Sequence, residues 1–484
     1  MNLDPAVLAF AGYLLAVVGI GVACARFSSA GLDAYFLGGR KLRGFVVALS
    51  AVVSGRSAWL VVGASGMAFV HGVAAVWAIP GYVLVELFLF FTVAPRLRER
   101  TGAKDDLTIA DFLASSFPTR ARALRITSML LIVGFFTVYV AAQFEAGGKV
   151  MTSAFPSLGL DHAGFVLLTA GIVLVYTVVG GFLAVSVTDV VQAGLMLLSL
   201  VVLPVIVIVE LGGVDAMARA LESQDPALLD PGAKGGVWIL SLLAIGLGSI
   251  GNPHILVRYM SIRDPRELRR AAVVGTVWNV LMGWGAIFAG LAGRAALGGV
   301  EALPGADSEN LFPHLAATRL PPWLFGLAIS SVFAAIMSTA DSQLLVASSA
   351  VVRDGLQGVL GRGAKLSPGR AVLVGRLTTA TLVALSLLLL ALTRDVVFWF
   401  VLFAWGGLGA AFGVAVLGAL YGRGRVTGEG VLAGMWTGAL TVGVWKQFGF
   451  DRSLVYELVP AFPLALVAMV LVSRITRRRG AAGS

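Results

Sequence analysis

Several charged and hydroxyl-bearing residues lie inside long apolar stretches of this 484-residue sequence. Arg56 lies in one stretch, Asp189 in another, and Ser338, Thr339 and Asp341 lie together in a third. A charged side chain is costly to place in a hydrophobic segment, and those that occur there commonly bind or conduct an ion or a solute. Hydroxyl and carboxylate oxygens are the ligands that hard cations prefer. The residue types therefore indicate binding of a small cation or a polar solute.

The same residues also have purely structural interpretations, which the sequence leaves open. The hydroxyls of Ser338 and Thr339 can bond back to the preceding turn of their own helix. Asp189 can cap the start of a helix at the membrane interface, and Asp341 can be a satisfied polar group inside a helix bundle. A titrating Asp or Glu would also support proton coupling, because chains of acids act as proton relays inside membranes.

The composition places these residues in a membrane protein. Hydrophobic residues make up 58% of the chain and charged residues 13%, and the mean hydropathy is +0.91. Soluble domains keep about 25% charged residues, so we expect this chain in the lipid of the plasma membrane. Its one cysteine, Cys24, allows no internal disulfide. The basic residues behind the net charge of +10 lie in loops between apolar segments, which does not indicate a nucleic-acid partner.

Thirteen runs of about 20 apolar residues can each cross a bilayer as a helix. With the N-terminus outside and the C-terminus inside, 27 of the 36 lysines and arginines are on the inner side and 8 on the outer side, as the positive-inside rule requires. We expect one transmembrane domain over residues 1–484, with a core at about 44–420 and peripheral helices at about 5–25 and 428–474. The thirteen spans are 5–25, 44–71, 73–95, 124–152, 163–186, 188–211, 236–258, 272–296, 322–350, 371–393, 395–420, 428–447 and 455–474.

Two predicted spans contain residues that interrupt a helix. Val53-Ser54-Gly55-Arg56-Ser57 lies in the second span, and 246–253, which is rich in glycine and ends in proline, lies in the seventh. Glycine weakens a helix and proline removes a backbone donor, so backbone groups are freed at both places. Because the breaks are five spans apart, the second set of five spans would be inverted relative to the first. This pattern is typical of carriers with a site between two broken helices, and two glycine-rich packing faces are the alternative.

Four segments resemble the sodium:solute symporter family, and its proline-symporter branch most of all. Tyr176–Asp189 is similar to the family signature Tyr-Thr-x-x-Gly-Gly-x-x-Ala-Val-x-x-Thr-Asp, and Leu107–Leu113 resembles the loop before helix 4. Asn252–Met260 is similar to the Gln-Pro-His segment of the proline branch, and Ser338–Leu345 resembles helix 9. The resemblance extends over about residues 5–420. It implies an all-α, broken-helix 5+5 inverted repeat (helices 2–11) and sodium-coupled secondary active symport of a small organic solute, such as an amino acid or a carboxylate.

The resemblance also implies a sodium site between the break in helix 2 and helix 9. Asp189 matches an acidic family residue on the exit route of the ion, and Asp341, one turn from Ser338, could assist the ion or a proton. By position, the implied sodium ligands are the backbone carbonyls of Val53, Arg56 and Ala335 and the hydroxyls of Ser338 and Thr339.

Two residues depart from the proline branch at this site. That branch has an aspartate at the position of Gly55 and an apolar residue at the position of Arg56. The local formal charge is therefore two units more positive here. The guanidinium of Arg56 could replace the cation and give a sodium-independent carrier or exchanger, or it could bind a substrate carboxylate, bidentately if the geometry allows. It could also pair with an intramembrane acid such as Glu86 or Glu145 and hold helices together.

The substrate is expected beside both breaks. Trp59 and Tyr139 match aromatic positions that line the pocket of the proline branch, whereas Ile245 and Ser249 are found where that branch has two further aromatic residues. Half of the aromatic pocket is therefore absent from these four positions, which favours a more polar or anionic solute than proline. The candidate substrate-binding residues are Ser54, Gly55, Arg56, Ser57, Trp59, Tyr139, Ile245 and Ser249.

The sequence carries no motif for enzymatic catalysis. It has no phosphate-binding loop, no Gly-x-Ser-x-Gly elbow and no His-Glu-x-x-His pair, which argues against ATP-driven transport and hydrolase chemistry. The alternatives to a sodium symporter are a sodium-independent or proton-coupled carrier, a non-transporting solute sensor and a channel. Saturable uptake would distinguish a carrier from a channel. Nothing in the sequence sets the oligomeric state.

Overall fold

The computed structural model describes residues 4–28, 32–361, 368–392 and 397–482, and the regular elements in these ranges are all helical. Short 3₁₀ or π-helical segments connect or extend several of the α-helices. The α-helices are α1 (Pro5–Ser28), α2 (Leu32–Leu37), α3 (Gly44–Ser54), α4 (Ser65–His71), α5 (Ala78–Phe88), α6 (Ala94–Ala103), α7 (Ile109–Ser116), α8 (Ala121–Ala154), α9 (His162–Glu210), α10 (Val214–Gln224), α11 (Gly235–Ala244), α12 (Pro253–Met260), α13 (Leu268–Leu297), α14 (Leu311–Arg319), α15 (Pro322–Ser349), α16 (Pro368–Leu392), α17 (Val397–Tyr421), α18 (Gly428–Gln447), α19 (Phe450–Ser453) and α20 (Leu458–Ala482).

Most of the chain is in helices that are long and apolar enough for a bilayer. Within the described ranges nine helices pass this test, or ten if the bent pair formed by α11 and α12 is one span. Two of the nine, 59–103 and 162–210, have 45 and 49 residues. A straight helix of that length would measure about 70 Å, more than twice the hydrocarbon thickness of about 30 Å. α9 is interrupted at Gly181, which has a φ of +63°, so the nine helices provide more than nine crossings.

The first predicted break is present in the structure. α3 ends at Ser54, and the Gly55 amide donates to the Val52 carbonyl at 3.2 Å. Ser57 has a φ of +42°, a left-handed conformation that is uncommon for a residue with a side chain. The chain then continues as a π-helical segment, Trp59–Ala64, that leads into α4. The break therefore covers residues 55–57, as the residue pattern predicts.

The second predicted break is also present. α11 ends at Ala244, a 3₁₀ segment follows over Ile245–Ile250, and α12 begins at Pro253. The two halves are bent by 47° relative to each other. A side chain at Gly251 would meet the backbone of α17, with the Leu408 carbonyl 2.5 Å from an added Cβ. Glycine is therefore required there because the backbones of two helices approach closely.

The ends of the two broken helices are joined to each other. Leu42, just before α3, bonds through its amide to the Ser261 carbonyl at 3.3 Å and through its carbonyl to the Arg263 amide at 3.0 Å. The Gly44 amide at the start of α3 donates to the Glu267 carboxylate at 2.5 Å. These bonds hold the beginning of α3 beside the end of α12.

α15 occupies the centre of the bundle. Every residue from 328 to 350 is buried, which gives α15 a long stretch without contact to lipid or water. It packs against α1, α8 and α9. Ser338, Thr339 and Asp341 lie in the middle of this buried stretch, so polar groups in this helix must find their partners inside the protein.

Candidate functional site

The break after α3 touches α15 at the hydroxyls singled out in the sequence. The Thr339 hydroxyl donates to the Ser54 carbonyl at 3.1 Å. The Ser54 hydroxyl lies 3.2 Å from that of Ser342, one turn further along α15. The Ser338 hydroxyl donates to the Ala335 carbonyl at 3.2 Å. All of these side chains are buried, so the structure brings the break and α15 together at one polar junction.

The two predicted carbonyl ligands of the break already accept one hydrogen bond each. The Arg56 amide donates to the Val53 carbonyl at 3.0 Å, and the Leu60 amide donates to the Arg56 carbonyl at 3.0 Å. A carbonyl oxygen has a second lone pair that can still bind a cation. Three carbonyls and two hydroxyls are the donor set of a hard cation such as sodium, because no soft sulfur or imidazole ligand is among them. The residues at this junction therefore suit the implied ion.

A buried arginine at the end of the seventh predicted span, Arg258, lies next to this junction. The Arg258 guanidinium donates from Nη2 to Asp189 Oδ2 at 3.2 Å and to the Ser54 hydroxyl at 3.3 Å, and it also bonds the Ser342 hydroxyl. Arg258 and Asp189 are both fully buried. Arg258 lies at the end of the apolar turn after His254, where its residue type and spacing do not distinguish it from an interfacial arginine.

Two buried carboxylates face this arginine. The Ser50 hydroxyl donates to Asp189 Oδ2 at 2.5 Å, and the Ser342 hydroxyl donates to Asp341 Oδ1 at 3.1 Å. Asp189 Oδ1 and Asp341 Oδ2 make no hydrogen bond within the described part of the chain. Of these two carboxylates, Asp189 is the one that Arg258 bonds in the described ranges. Asp189 and Asp341 therefore lie together beside Arg258, next to the junction between the break and α15.

The Arg56 side chain lies on the other side of the break. Arg56 Nη2 is 2.9 Å from Glu86 Oε1, and Nε donates to Asn279 Oδ1 at 2.9 Å. Asn279 Nδ2 donates in turn to Glu86 Oε2 at 2.6 Å, and the guanidinium carbon lies 3.7 Å from the centre of the Tyr82 ring. Arg56 and Glu86 are only 1% and 3% exposed. The partners of Arg56 are on α5 and α13, whereas the predicted hydroxyl ligands, Ser338 and Thr339, are on α15. This geometry favours the interpretation in which Arg56 pairs with an intramembrane acid and holds helices together.

The second acid named as a possible partner of Arg56 is paired elsewhere. Glu145 Oε1 lies 3.1 Å from Nε2 of His162 at the start of α9. One nitrogen of Arg56, Nη1, makes no hydrogen bond within the described ranges. Nη1 is buried, so a substrate carboxylate would have to enter the protein interior to bind this guanidinium.

A row of aromatic rings follows the break. The ring centres of Trp59 and Tyr82 are 5.8 Å apart, and those of Tyr82 and Trp405 are 5.5 Å apart. The His254 ring is 6.3 Å from both the Trp405 and Tyr139 rings, and the Tyr139 hydroxyl is 3.5 Å from that of Ser57. Trp59 and Tyr139 were predicted, but Tyr82 and Trp405 were not. Aromatic residues on an apolar helix usually pack against neighbours, so no sequence signal distinguished Tyr82 and Trp405 from ordinary packing residues.

Trp405 lies beside Ile245, one of the two positions at which this sequence lacks an aromatic residue of the proline branch. Its indole Nε1 donates to the Ile245 carbonyl at 2.8 Å, and its ring covers Gly248 so closely that no side chain fits there. The Ser249 hydroxyl is buried and makes no hydrogen bond within the described ranges. Trp405 from α17 and Tyr82 from α5 thus add two aromatic rings beside Ile245 and Trp59.

A cavity of about 750 Å³ leads from this region to loops predicted to be outside. Ile245 lines its inner end, and Asp307 and Asp451 in predicted outer loops line its other end. Trp238 and Tyr456 contribute to its walls. The cavity provides a route between the second break and the predicted outer face.

Replacement of Gly248 by alanine should weaken solute binding. The added methyl group would displace the Trp405 indole from the second break, and overpacking of this kind costs about 1–3 kcal/mol. We expect the solute concentration at half-maximal uptake to rise about tenfold, measured in liposomes. Gly236→Ala is the matched control, because nothing lies within 4 Å of a side chain at Gly236. An unchanged half-saturating concentration in Gly248→Ala would contradict a role for Trp405 in the pocket.

Comparison with known proteins identifies the relatives of this chain. The model of the sodium:solute symporter family matches residues 35–438. The osmoregulated proline transporter OpuE of Bacillus subtilis is 38% identical over 451 residues, which are 92% of this chain and 90% of OpuE. The sodium/proline symporter of Escherichia coli is 37% identical over 484 residues, which are 99% of this chain and 94% of that protein.

Solved structures share the fold at low sequence identity. A sodium-coupled sialic acid symporter in a substrate-bound, outward-open state superimposes with a TM-score of 0.81 at 18% identity, covering 97% of both chains. MhsT in complex with L-phenylalanine superimposes with a TM-score of 0.58 at 15% identity, covering 89% of this chain and 98% of MhsT. The chain, whose described elements are all helical, therefore has a transporter fold.

Proposed function

Because the chain belongs to the sodium:solute symporter family, we propose that it carries an amino acid, with proline as the first candidate. It is a multi-pass plasma-membrane protein and a sodium-coupled symporter of a small organic solute, not an enzyme. The observation that carries the proposal is the identity of 35–38% to proline transporters over 92–99% of this chain.

We further propose the architecture expected from the sequence. The chain has thirteen crossings, with the N-terminus outside and the C-terminus inside, and forms one domain over residues 1–484. Its core at about 44–420 is a 5+5 inverted repeat of helices 2–11, with α1, α18 and α20 at the periphery. The two breaks at 55–57 and 245–252 support this, because they occur at matching places in the two sets of five spans.

In this proposal the sodium ion lies between the break and α15. Its ligands are the carbonyls of Val53, Arg56 and Ala335 and the hydroxyls of Ser338 and Thr339. A sodium ion at this junction would join two elements that must separate for the ion to leave. It would therefore stabilise the arrangement of the break in which Trp59 and Ser57 face the solute. The ion and the solute favour the same arrangement, which couples their binding.

The ion would leave past the two carboxylates beside Arg258. Asp189 and Asp341 each keep one oxygen without a hydrogen bond in the described chain. Arg258 competes with the ion for Asp189, because its guanidinium already bonds that carboxylate. We propose that this competition keeps the ion from being held too tightly on its way to the inner side.

The solute lies beside both breaks in this proposal, against Ser54, Gly55, Arg56, Ser57, Trp59, Tyr139, Ile245 and Ser249. The row of aromatic rings offers an apolar wall to a pyrrolidine ring, and relatives with 35–38% identity are proline transporters. Arg56 Nη1, which has no hydrogen bond in the described ranges, can pair with a carboxylate, the group that proline shares with the second candidate, a monocarboxylate.

Uptake by the purified protein in liposomes tests the substrate. Labelled proline, other amino acids and monocarboxylates are each offered with a sodium gradient, a potassium gradient and a proton gradient. We expect saturable uptake of proline with the sodium gradient alone. Uptake of a monocarboxylate but not of proline would favour the second candidate. Uptake driven equally well by a proton gradient or without sodium would overturn sodium coupling.

A further inference from the structure

A basic cavity that the transport site does not use lies at the ends of two spans. It consists of two adjoining depressions of about 450 and 500 Å³ between α6 and the loop that follows α17. Arg100 and Arg423 line both depressions, Lys104 lines the first and Arg96 lines the second. Two carboxylates are also present: Asp106 lines the first depression and Glu99 lines the second. These six residues define the basic cavity.

The four cations of the basic cavity are not neutralised by ion pairs. Within the described ranges none of them forms a salt bridge with a carboxylate. Arg100 donates to the carbonyls of Ala419 at 2.6 Å and Leu420 at 3.2 Å, and Lys104 donates to that of Ser115 at 2.6 Å. Backbone carbonyls fix these side chains without removing their charge. The cavity therefore has an excess of positive charge.

The loop after α17 adds backbone donors to the same cavity. Arg423 and Gly424 are consecutive residues in the left-handed region, with φ values of +45° and +74°. Their amides donate no hydrogen bond to protein acceptors in the described chain. Successive amides in such a turn form a concave surface that binds anions. The side chains and the backbone thus indicate the same kind of ligand.

The depth of the cavity corresponds to the lipid headgroups. It lies where the spans 59–103 and 399–421 end. The Arg96 guanidinium is 5.1 Å from the ring centre of Tyr421, the last residue of α17. Tyrosine at a span end commonly marks the boundary between hydrocarbon and water. A phosphate group of a phospholipid would be at the level of these cations.

We propose that the basic cavity binds a phosphate group, either in the headgroup of an anionic phospholipid or as free phosphate. Arginine binds phosphate oxygens through two parallel hydrogen bonds, and basic pockets between membrane helices bind lipid headgroups. The proposed orientation of the chain places the cavity on the cytoplasmic side. Binding itself does not depend on the identity of the transported solute.

The test is binding to the full-length purified protein. Native mass spectrometry counts the phosphatidylglycerol or phosphatidylcholine molecules retained, and calorimetry measures binding of inorganic phosphate. The variant is Lys104→Gln with Arg423→Gln. It removes two charges and keeps the hydrogen bonds that Arg100 donates to carbonyls near the end of α17. We expect phosphatidylglycerol to bind about 30-fold more weakly to this variant, from the usual contribution of each basic residue near a membrane. Arg269→Gln with Arg270→Gln is the control, because both residues are exposed and do not line the cavity.

The outcomes separate the two sources of phosphate. A preference for phosphatidylglycerol that the variant loses and the control keeps identifies a lipid headgroup. Binding of inorganic phosphate with the same pattern, but no lipid preference, identifies free phosphate. The charge-preserving variant Lys104→Arg with Arg423→Lys should retain binding in either case. Binding of neither probe, or an equal loss in the control, would overturn the proposal.

Discussion

Removal of the Ser338 and Thr339 hydroxyls should raise the sodium concentration at half-maximal uptake by about a hundredfold or more. The variant is Ser338→Ala with Thr339→Val, and the measurement is proline uptake in liposomes over a range of external sodium concentrations. A hydroxyl bonded to a charged group contributes about 1.5–3 kcal/mol, so two of them contribute about 3–6 kcal/mol. Thr339→Val keeps the shape of the side chain. The effect should therefore come from the lost oxygens and not from a cavity.

A third hydroxyl on the same helix provides the control. Ser330 is buried and donates to the Gly326 carbonyl at 2.8 Å, one helical turn before it. Ser330→Ala removes a hydroxyl of the same kind at a place away from the break, and we expect its sodium dependence to equal that of the wild type. If Ser338→Ala with Thr339→Val also keeps the wild-type sodium dependence, the ion is not at this junction.

Replacement of Arg56 by methionine should destabilise the protein by about 3–5 kcal/mol. The change leaves the Glu86 carboxylate buried without its cation, and removal of one partner of a buried ion pair has an effect of this size. Arg56→Met with Glu86→Gln should restore most of the loss, because no buried charge remains. The free energy of unfolding of the purified protein in detergent, followed for both single variants and the double variant, measures the coupling between the two side chains.

An exposed ion pair is the matched control for this cycle. Arg120 and Glu429 are 51% and 30% exposed and lie 2.7 Å apart, so their coupling should be only about 0–1 kcal/mol. A coupling of the same small size for Arg56 and Glu86 would contradict the helix-pairing role. Sodium dependence that appears only in Arg56→Met would support the other hypothesis, in which the guanidinium replaces the ion.

The breaks could be predicted from the sequence because glycine and proline act locally. Gly55 and the glycine-rich segment that ends at Pro253 weaken a helix wherever the helix lies, so their positions in the spans located the breaks to within a few residues. The junction with Thr339 needed the family resemblance, because residues 54 and 339 are far apart in the sequence. Periodicity alone carries no information about such a contact.

Arg258, Tyr82 and Trp405 were not predicted, and each for a physical reason. Arg258 lies at the end of an apolar segment, where most basic residues are interfacial, and only tertiary packing buries it against Asp189. Tyr82 and Trp405 are aromatic residues on apolar helices, which most often pack against neighbours or lipid. The contacts of Tyr82 with Trp59 and with Trp405 depend on how separate helical segments cross, which no local pattern encodes.

In a symporter, sodium and the solute cross the membrane together. The most direct test is the entry of radioactive sodium into liposomes that contain the purified protein, with and without external proline and with no other gradient. We expect proline to accelerate sodium entry in the wild type, and Ser338→Ala with Thr339→Val to abolish this acceleration at low sodium. Proline uptake that proceeds without any proline-dependent sodium entry would contradict sodium-coupled symport.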